Sequence, residues 1–127
     1  MNLSMEPHDD RRTHVRLTLD DRYTLRFQVD DKVYRGVPMT NLSMGGLGLR
    51  MEQRTSIRLH PGVLLRGMVL EHPSLPQVKV DGEVRHVMGR LIGNLEGPVL
   101  VGVQWRQAPE AFLRQIGAFI DRHLERV

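Results

Sequence analysis

Along most of the chain, apolar residues alternate with polar ones at a period of two. Val15, Leu17 and Leu19, then Tyr23, Leu25, Phe27 and Val29, form one such series, interrupted at Asp20-Asp21. Period-two alternation puts every second side chain on one face of a pleated strand, so this stretch predicts a long strand with a bulge, or two short ones. Asp30-Asp31-Lys32 predicts a turn, and Val33 to Met39 follows as a second β-rich run. Asn41-Leu42-Ser43-Met44-Gly45-Gly46 reads as a tight loop, after which Leu47, Leu49 and Met51 alternate again. Further strand-like runs stand at Val63 to Leu70, Val78 to Val87 and Val99 to Trp105, punctuated by Pro61-Gly62, His72-Pro73 and Glu96-Gly97-Pro98.

Short strands at fairly regular spacing, with no helical stretch between them, predict an antiparallel barrel or sandwich. A barrel has the further merit of leaving no exposed strand edge. The end of the chain differs. After Pro109 and Glu110, which suit a helix start, Phe112, Leu113, Ile116, Phe119, Ile120 and Leu124 recur at helical spacing. One amphipathic helix of about four turns is expected, its Phe112, Ile116, Phe119, Ile120 stripe serving as core or as a dimer surface. Residues 1–10 are polar and acidic, with Pro7 and Asp9-Asp10 and no apolar periodicity. They are expected to form a flexible N-terminal arm until a partner orders it, leaving residues 11–127 as the folded domain.

A chain of 127 residues fits one domain with one modest core. No apolar run approaches the roughly 18 residues of a membrane span, and the N-terminus lacks the apolar segment and cleavage site of a secretory signal. The absence of cysteine removes disulfides, thiolate metal sites and cysteine nucleophiles together. A cytoplasmic location is the expectation. Net charge of +3 and a pI near 9.9 favour anionic partners without selecting one.

The distribution of arginines says more. Arg11, Arg12 and Arg16 place three guanidinium groups within six residues just ahead of the first strand. Each is a permanently charged planar fork that can hold phosphate oxygens, or the O6 and N7 edge of guanine, through two hydrogen bonds. On its own such a cluster is an ordinary solvated basic patch. Asn41, Ser43, Gly45 and Gly46 offer an amide, a hydroxyl and a backbone that glycine frees to approach a ligand closely or to take positive φ. On its own that segment is an ordinary turn.

Together the two segments carry more weight. Arg-Arg-x-x-x-Arg, about 25 residues ahead of Asn-x-Ser-x-x-Gly in a small β-rich chain, resembles the signature of the PilZ domain family. Arg11, Arg12 and Arg16 match the first motif, and Asn41, Ser43 and Gly46 the second. Gly82-Glu83-Val84-Arg85 and Gly102-Val103-Gln104-Trp105 look like the family's later strands. The resemblance implies a six-stranded antiparallel β-barrel with a C-terminal helix that binds cyclic di-GMP on its outer wall, the arginine segment folding over the nucleotide as a flap. By that analogy Arg11 and Arg12 clamp phosphates and guanine edges, and Arg16 holds a phosphate or anchors the flap. Asn41 and Ser43 bond guanine and nearby sugar or phosphate groups, and Gly46 keeps the loop close. Relatives often place a base-touching residue near Arg85 and His86, and an arginine in the position of Arg11 goes with a stacked pair of nucleotides. The implied output is an altered contact with a protein effector in bacterial motility, pili, exopolysaccharide synthesis or virulence.

Other residues offer less. Six histidines stand at 8, 14, 60, 72, 86 and 123, none at the i, i+4 spacing of a zinc pair, so solvated rings and no metal site are expected. Gly45-Gly46-Leu47-Gly48 lacks the Lys-Ser/Thr of a triphosphate loop. No acid-base pair or catalytic triad can be assigned, so neither an enzyme nor a cofactor is expected. Trp105 reads as core or barrel-rim packing. Two other readings use the same charge: a PilZ-fold adaptor that binds no nucleotide, against which the intact motifs stand, and a single-stranded nucleic-acid binder. The latter needs aromatic stacking platforms, and of only six aromatics Phe112 and Phe119 belong to the helix.

Overall fold

The inward-facing alternation of these strands has one solution that buries it on all sides, which is closure of the sheet on itself. A computed structural model describes residues 15–91, 93 and 96–124. It contains strands β1 (Leu17–Thr18), β2 (Thr24–Val29), β3 (Lys32–Leu42), β4 (Gly46–Glu52), β5 (Leu64–Glu71), β6 (Val80–Met88) and β7 (Pro98–Arg106), followed by helix α1 (Glu110–Leu124). Every pairing is antiparallel. The order β3-β2-β5-β6-β7-β4 is closed by a further β3–β4 pairing, which makes a six-stranded barrel; two-residue β1 adds to it by pairing Leu17 with Leu42 and Thr18 with Asn41.

The first alternating run is therefore two short strands. Between them Asp20 accepts hydrogen bonds from the backbone N–H and the guanidinium of Arg22, the latter at 2.9–3.2 Å, and Tyr23 N–H donates to the Asp20 carbonyl. These bonds from Arg22 hold the Asp20 carboxyl below its ordinary pKa. The turn so fixed brings Arg16 and β1 alongside the end of β3. That strand runs three residues further than the β-rich pattern suggests, so Asn41 and Leu42 are strand and only Ser43 to Gly45 forms the connection to β4.

Leu25, Phe27, Met39, Leu49, Leu65, Met68, Val84 and Val101 fill the barrel. One open end is covered by α1, whose apolar stripe of Phe112, Ile116, Phe119 and Ile120 is buried. That stripe is core. Phe112 meets Trp105 edge-on at 5.0 Å between ring centres, and Phe119 meets Tyr23 edge-on at 5.9 Å, the geometry aromatic quadrupoles favour. Two of the histidines, each half-buried, join this packing. His72 stacks on Tyr23 at 4.0 Å, and His123 lies against Phe119, its Nδ1 2.9 Å from the Phe119 carbonyl. No helix is long and apolar enough to cross a membrane among the described residues.

Because Phe119 is fully buried between helix and barrel, Phe119→Ala is expected to cost about 3–5 kcal/mol. The measurement is urea denaturation followed by circular dichroism, and a loss below about 1 kcal/mol would mean that the helix is not seated on the barrel as described.

Candidate functional site

Of the register shifts in the barrel wall, the one on β3 and the one on β6 face the same way. On β3 the inward residues are Met39 and Leu42, three apart, and the register against β4 shifts between Met39 and Asn41. On β6 the inward residues Val84 and Val87 are again three apart, with the shift against β7 between Val84 and His86. Each is a β-bulge, which turns two successive side chains to the same face. Thr40 and Asn41 point outward on one side, Arg85 and His86 on the other.

The strands between the two bulges supply a floor. Register places Asn41 opposite Gly48, Gly48 opposite Gly102, and Gly102 opposite His86, so one row across β3, β4, β7 and β6 reads Asn, Gly, Gly, His. Three inter-strand spacings separate its ends, about 14 Å. A methyl group on Gly48 would lie 2.5 Å from the Asn41 amide nitrogen, and one on Gly102 would lie 2.1 Å from the His86 ring. Both flanking side chains thus lean inward over the glycines. The result is a trough of about 560 Å³ on the outer wall, lined also by Arg16, Ser43, Gly45, Gly46, Gln104 and the pair Met88 and Leu100.

Gly46 has a different task. A Cβ there would fall 1.8 Å from the Val103 carbonyl oxygen, so its missing side chain lets the backbones of β4 and β7 meet. Neither Gly45 nor Gly46 has positive φ, and close approach is the property being used. The turn is held from inside: Ser43 donates to the Gly46 carbonyl from its N–H at 2.9 Å and from its hydroxyl at 3.3 Å, and Trp105 N–H donates to the Gly45 carbonyl at 3.0 Å. The Ser43 oxygen keeps its lone pairs for an incoming donor. Trp105 is buried and absent from the trough's lining, so it touches the site only through this backbone bond.

The charge of the trough is one-sided. Arg16 and Arg85 line it together with His86, and among the described residues no carboxylate lines it. The neighbouring Glu83 is engaged by Arg106 and lies 3.7 Å from Arg85. Such a surface is built for an anion. Arg11 and Arg12 lie outside the described residues, on the segment that leads into Arg16. Among the described residues no group of histidines and carboxylates could hold a metal ion.

A model of the PilZ domain matches residues 10–122. The chain belongs to the PilZ domain family. Its fold is shared by solved structures of low sequence identity. K. pneumonia MrkH in its apo state superposes with a TM-score of 0.72 at 21% identity, over 91% of this chain and 51% of MrkH. The MrkH–c-di-GMP complex gives 0.66 at 18% identity, over 87% and 50%. The PilZ domain of Escherichia coli YcgR with c-di-GMP gives 0.68 at 18% identity, over 88% and 89%. This PilZ domain thus spans about half the length of MrkH. No curated protein matches the chain significantly.

Within this PilZ domain the structure brings Arg16, Asn41, Ser43, Gly45, Gly46 and Arg85 to one trough. Sequence reasoning missed Gly48 and Gly102 as parts of it, and named His86 only beside Arg85, where relatives place a base-touching residue. The available signal was the three-residue gap between Val84 and Val87, together with two glycines at outward positions of strands.

The two kinds of glycine are expected to respond differently to alanine. Gly46→Ala meets backbone and should lower stability by about 3 kcal/mol, roughly 10 °C in melting temperature. Gly102→Ala meets only the exposed His86 ring, which can swing away, and should cost less than about 1 kcal/mol. Thermal melts of the two variants check this; equal losses would show that the glycine floor is held as rigidly as the β4–β7 seam.

Proposed function

We propose that this PilZ domain is a receptor for cyclic di-GMP, which it binds in the trough on the outer wall of β3, β4, β7 and β6. The observation that carries the reading is the glycine row over which Asn41 and His86 lean, bordered by arginines and, among the described residues, lined by no carboxylate. Support comes from MrkH and the YcgR PilZ domain, each solved with c-di-GMP and each built on this barrel.

Arg16 holds a phosphate at the mouth of the trough, and Asn41 with the Ser43 oxygen bonds guanine and the adjoining sugar-phosphate. Gly45 and Gly46 keep the turn close to the ligand. Arg85 is exposed and stacks its guanidinium plane on a base. Arg11 and Arg12, reaching back from the N-terminal segment, clamp phosphates and guanine edges. Hydrogen bonds to charged groups contribute roughly 1.5–3 kcal/mol each, so three or four of them, less ordering costs, correspond to micromolar affinity, about −8 kcal/mol. Neutralising the arginines lets residues 1–16 settle over the nucleotide, and the new surface is read by a protein effector. The domain is a receptor without catalysis and without a cofactor. Arg11, standing ahead of Arg12-x-x-x-Arg16, favours a stacked pair of nucleotides over one. The downstream process is motility, pilus function, exopolysaccharide synthesis or virulence.

Calorimetric titration with cyclic di-GMP, with GTP and cGMP as controls, tests the reading. Wild type should bind near micromolar with one or two nucleotides per chain, and Arg12→Ala should lose roughly 2–5 kcal/mol, as removal of one partner of a desolvated charge pair does. Ser43→Ala and Gly102→Ala should weaken binding without unfolding the barrel. Absence of heat at high protein concentration would sink the receptor reading and leave a nucleotide-free adaptor.

A further inference from the structure

The outward residues of the trough are polar or glycine with one exception. Met88 and Leu100 face each other across β6 and β7, both outward, and both line the trough. They are 55% and 42% exposed, so this apolar pair stands in water on an otherwise polar surface. The pair is continuous with the floor: along β7 the outward series runs Gln104, Gly102, Leu100, and Leu100 lies about 7 Å beyond Gly102. On β6 the bulge at Arg85 and His86 shifts the alternation, and the shift is what turns Met88 outward beside Leu100. Directly opposed side chains on neighbouring strands lie about 5 Å apart and form a single surface.

We infer that Met88 and Leu100 form an apolar ledge on which the face of a purine base of the bound nucleotide rests. The inference rests on the cyclic di-GMP reading and adds what the polar groups leave undone. Guanidinium, amide and hydroxyl groups engage phosphates and base edges, but a base also has a flat, weakly hydrated face. A methionine and a leucine side by side match that face, and the thioether of Met88 is suited to aromatic contact. Packing the base there removes water from both surfaces, and so the ledge contributes affinity that carries no charge.

That independence from charge sets the test. Cyclic di-GMP is titrated into wild type, Met88→Ser, Leu100→Ser, the double variant, Leu100→Phe, Arg16→Ala and, as a control away from the trough, Ile57→Ser, each at about 0.05 M and about 0.5 M salt. Met88→Ser and Leu100→Ser should each raise Kd about fivefold and the double variant roughly twentyfold, with the same ratio at both salt concentrations, whereas Ile57→Ser should leave Kd unchanged. Arg16→Ala should lose less at high salt than at low. Leu100→Phe should bind as tightly as wild type or tighter, and the double variant should show a less negative heat capacity change on binding. Melting temperatures without ligand should match wild type throughout, since all four positions are exposed. A double variant that binds like wild type, or whose deficit disappears at high salt, overturns the ledge while the receptor reading stands. Failure of wild type to bind overturns both.

Discussion

The contact on which the rest depends is the meeting of two backbones at Gly46. A side chain there would occupy the Val103 carbonyl, and the seven-residue pairing of β4 with β7, from Gly46–Gln104 to Glu52–Pro98, begins at that point. The other flank of β4 closes the barrel through only three residue pairs with β3. The turn between β3 and β4 is therefore pinned on both sides, by Ser43 bonding to Gly46 and by Trp105 bonding to Gly45. The same residues form the rim of the trough. Barrel closure and the rim of the trough share one set of atoms, so the loop is held in a fixed position by the fold itself.

Helix α1 serves this arrangement from the same end of β7. Trp105 is the residue after Gln104, which faces the trough; its ring turns inward against Phe112 of the helix, and its amide reaches the Gly45 carbonyl. One residue thus ties the helix packing to the motif turn through rigid β7. The helix stripe, which by pattern alone suits a core or a dimer contact, is consumed by this packing with Trp105 and Tyr23.

The strands, the C-terminal helix and the motif positions were legible because each follows from local rules: alternation, helical spacing, and residue types with one evident use. Two things were not. The first is register. Alternation along a strand says nothing about which residue lies across from it, so the row Asn41, Gly48, Gly102, His86 exists only once four strands are aligned. The second is the bulge. Counting in twos from Val80 through Gly82 and Val84 turns His86 inward and Val87 outward, whereas the structure does the reverse because Arg85 is the extra residue. Alternation alone therefore hides the outward face of His86, which enters the sequence reading only through the family resemblance, beside Arg85. Asn41 was recognised by its motif yet placed on a loop, since the bulge at Thr40 and Asn41 hides the continuation of β3 as far as Leu42. The PilZ resemblance supplied the motif residues; the alignment of strands supplied their neighbours.

The glycine row has a consequence for how such a surface can change. Each glycine leaves one inter-strand step of about 4.8 Å without a side chain of its own, and into that step Asn41 or His86 leans. Replacing Gly48 or Gly102 by a larger residue evicts that neighbour from a full step, while a new glycine on the next strand would clear one more. Drift in the other lining residues reshapes the trough by degrees, whereas a side chain gained on the glycine row reshapes it by a whole strand. A barrel wall of this kind behaves as a ruler with fixed divisions, and a single substitution at Gly48 or Gly102 moves it from one division to the next.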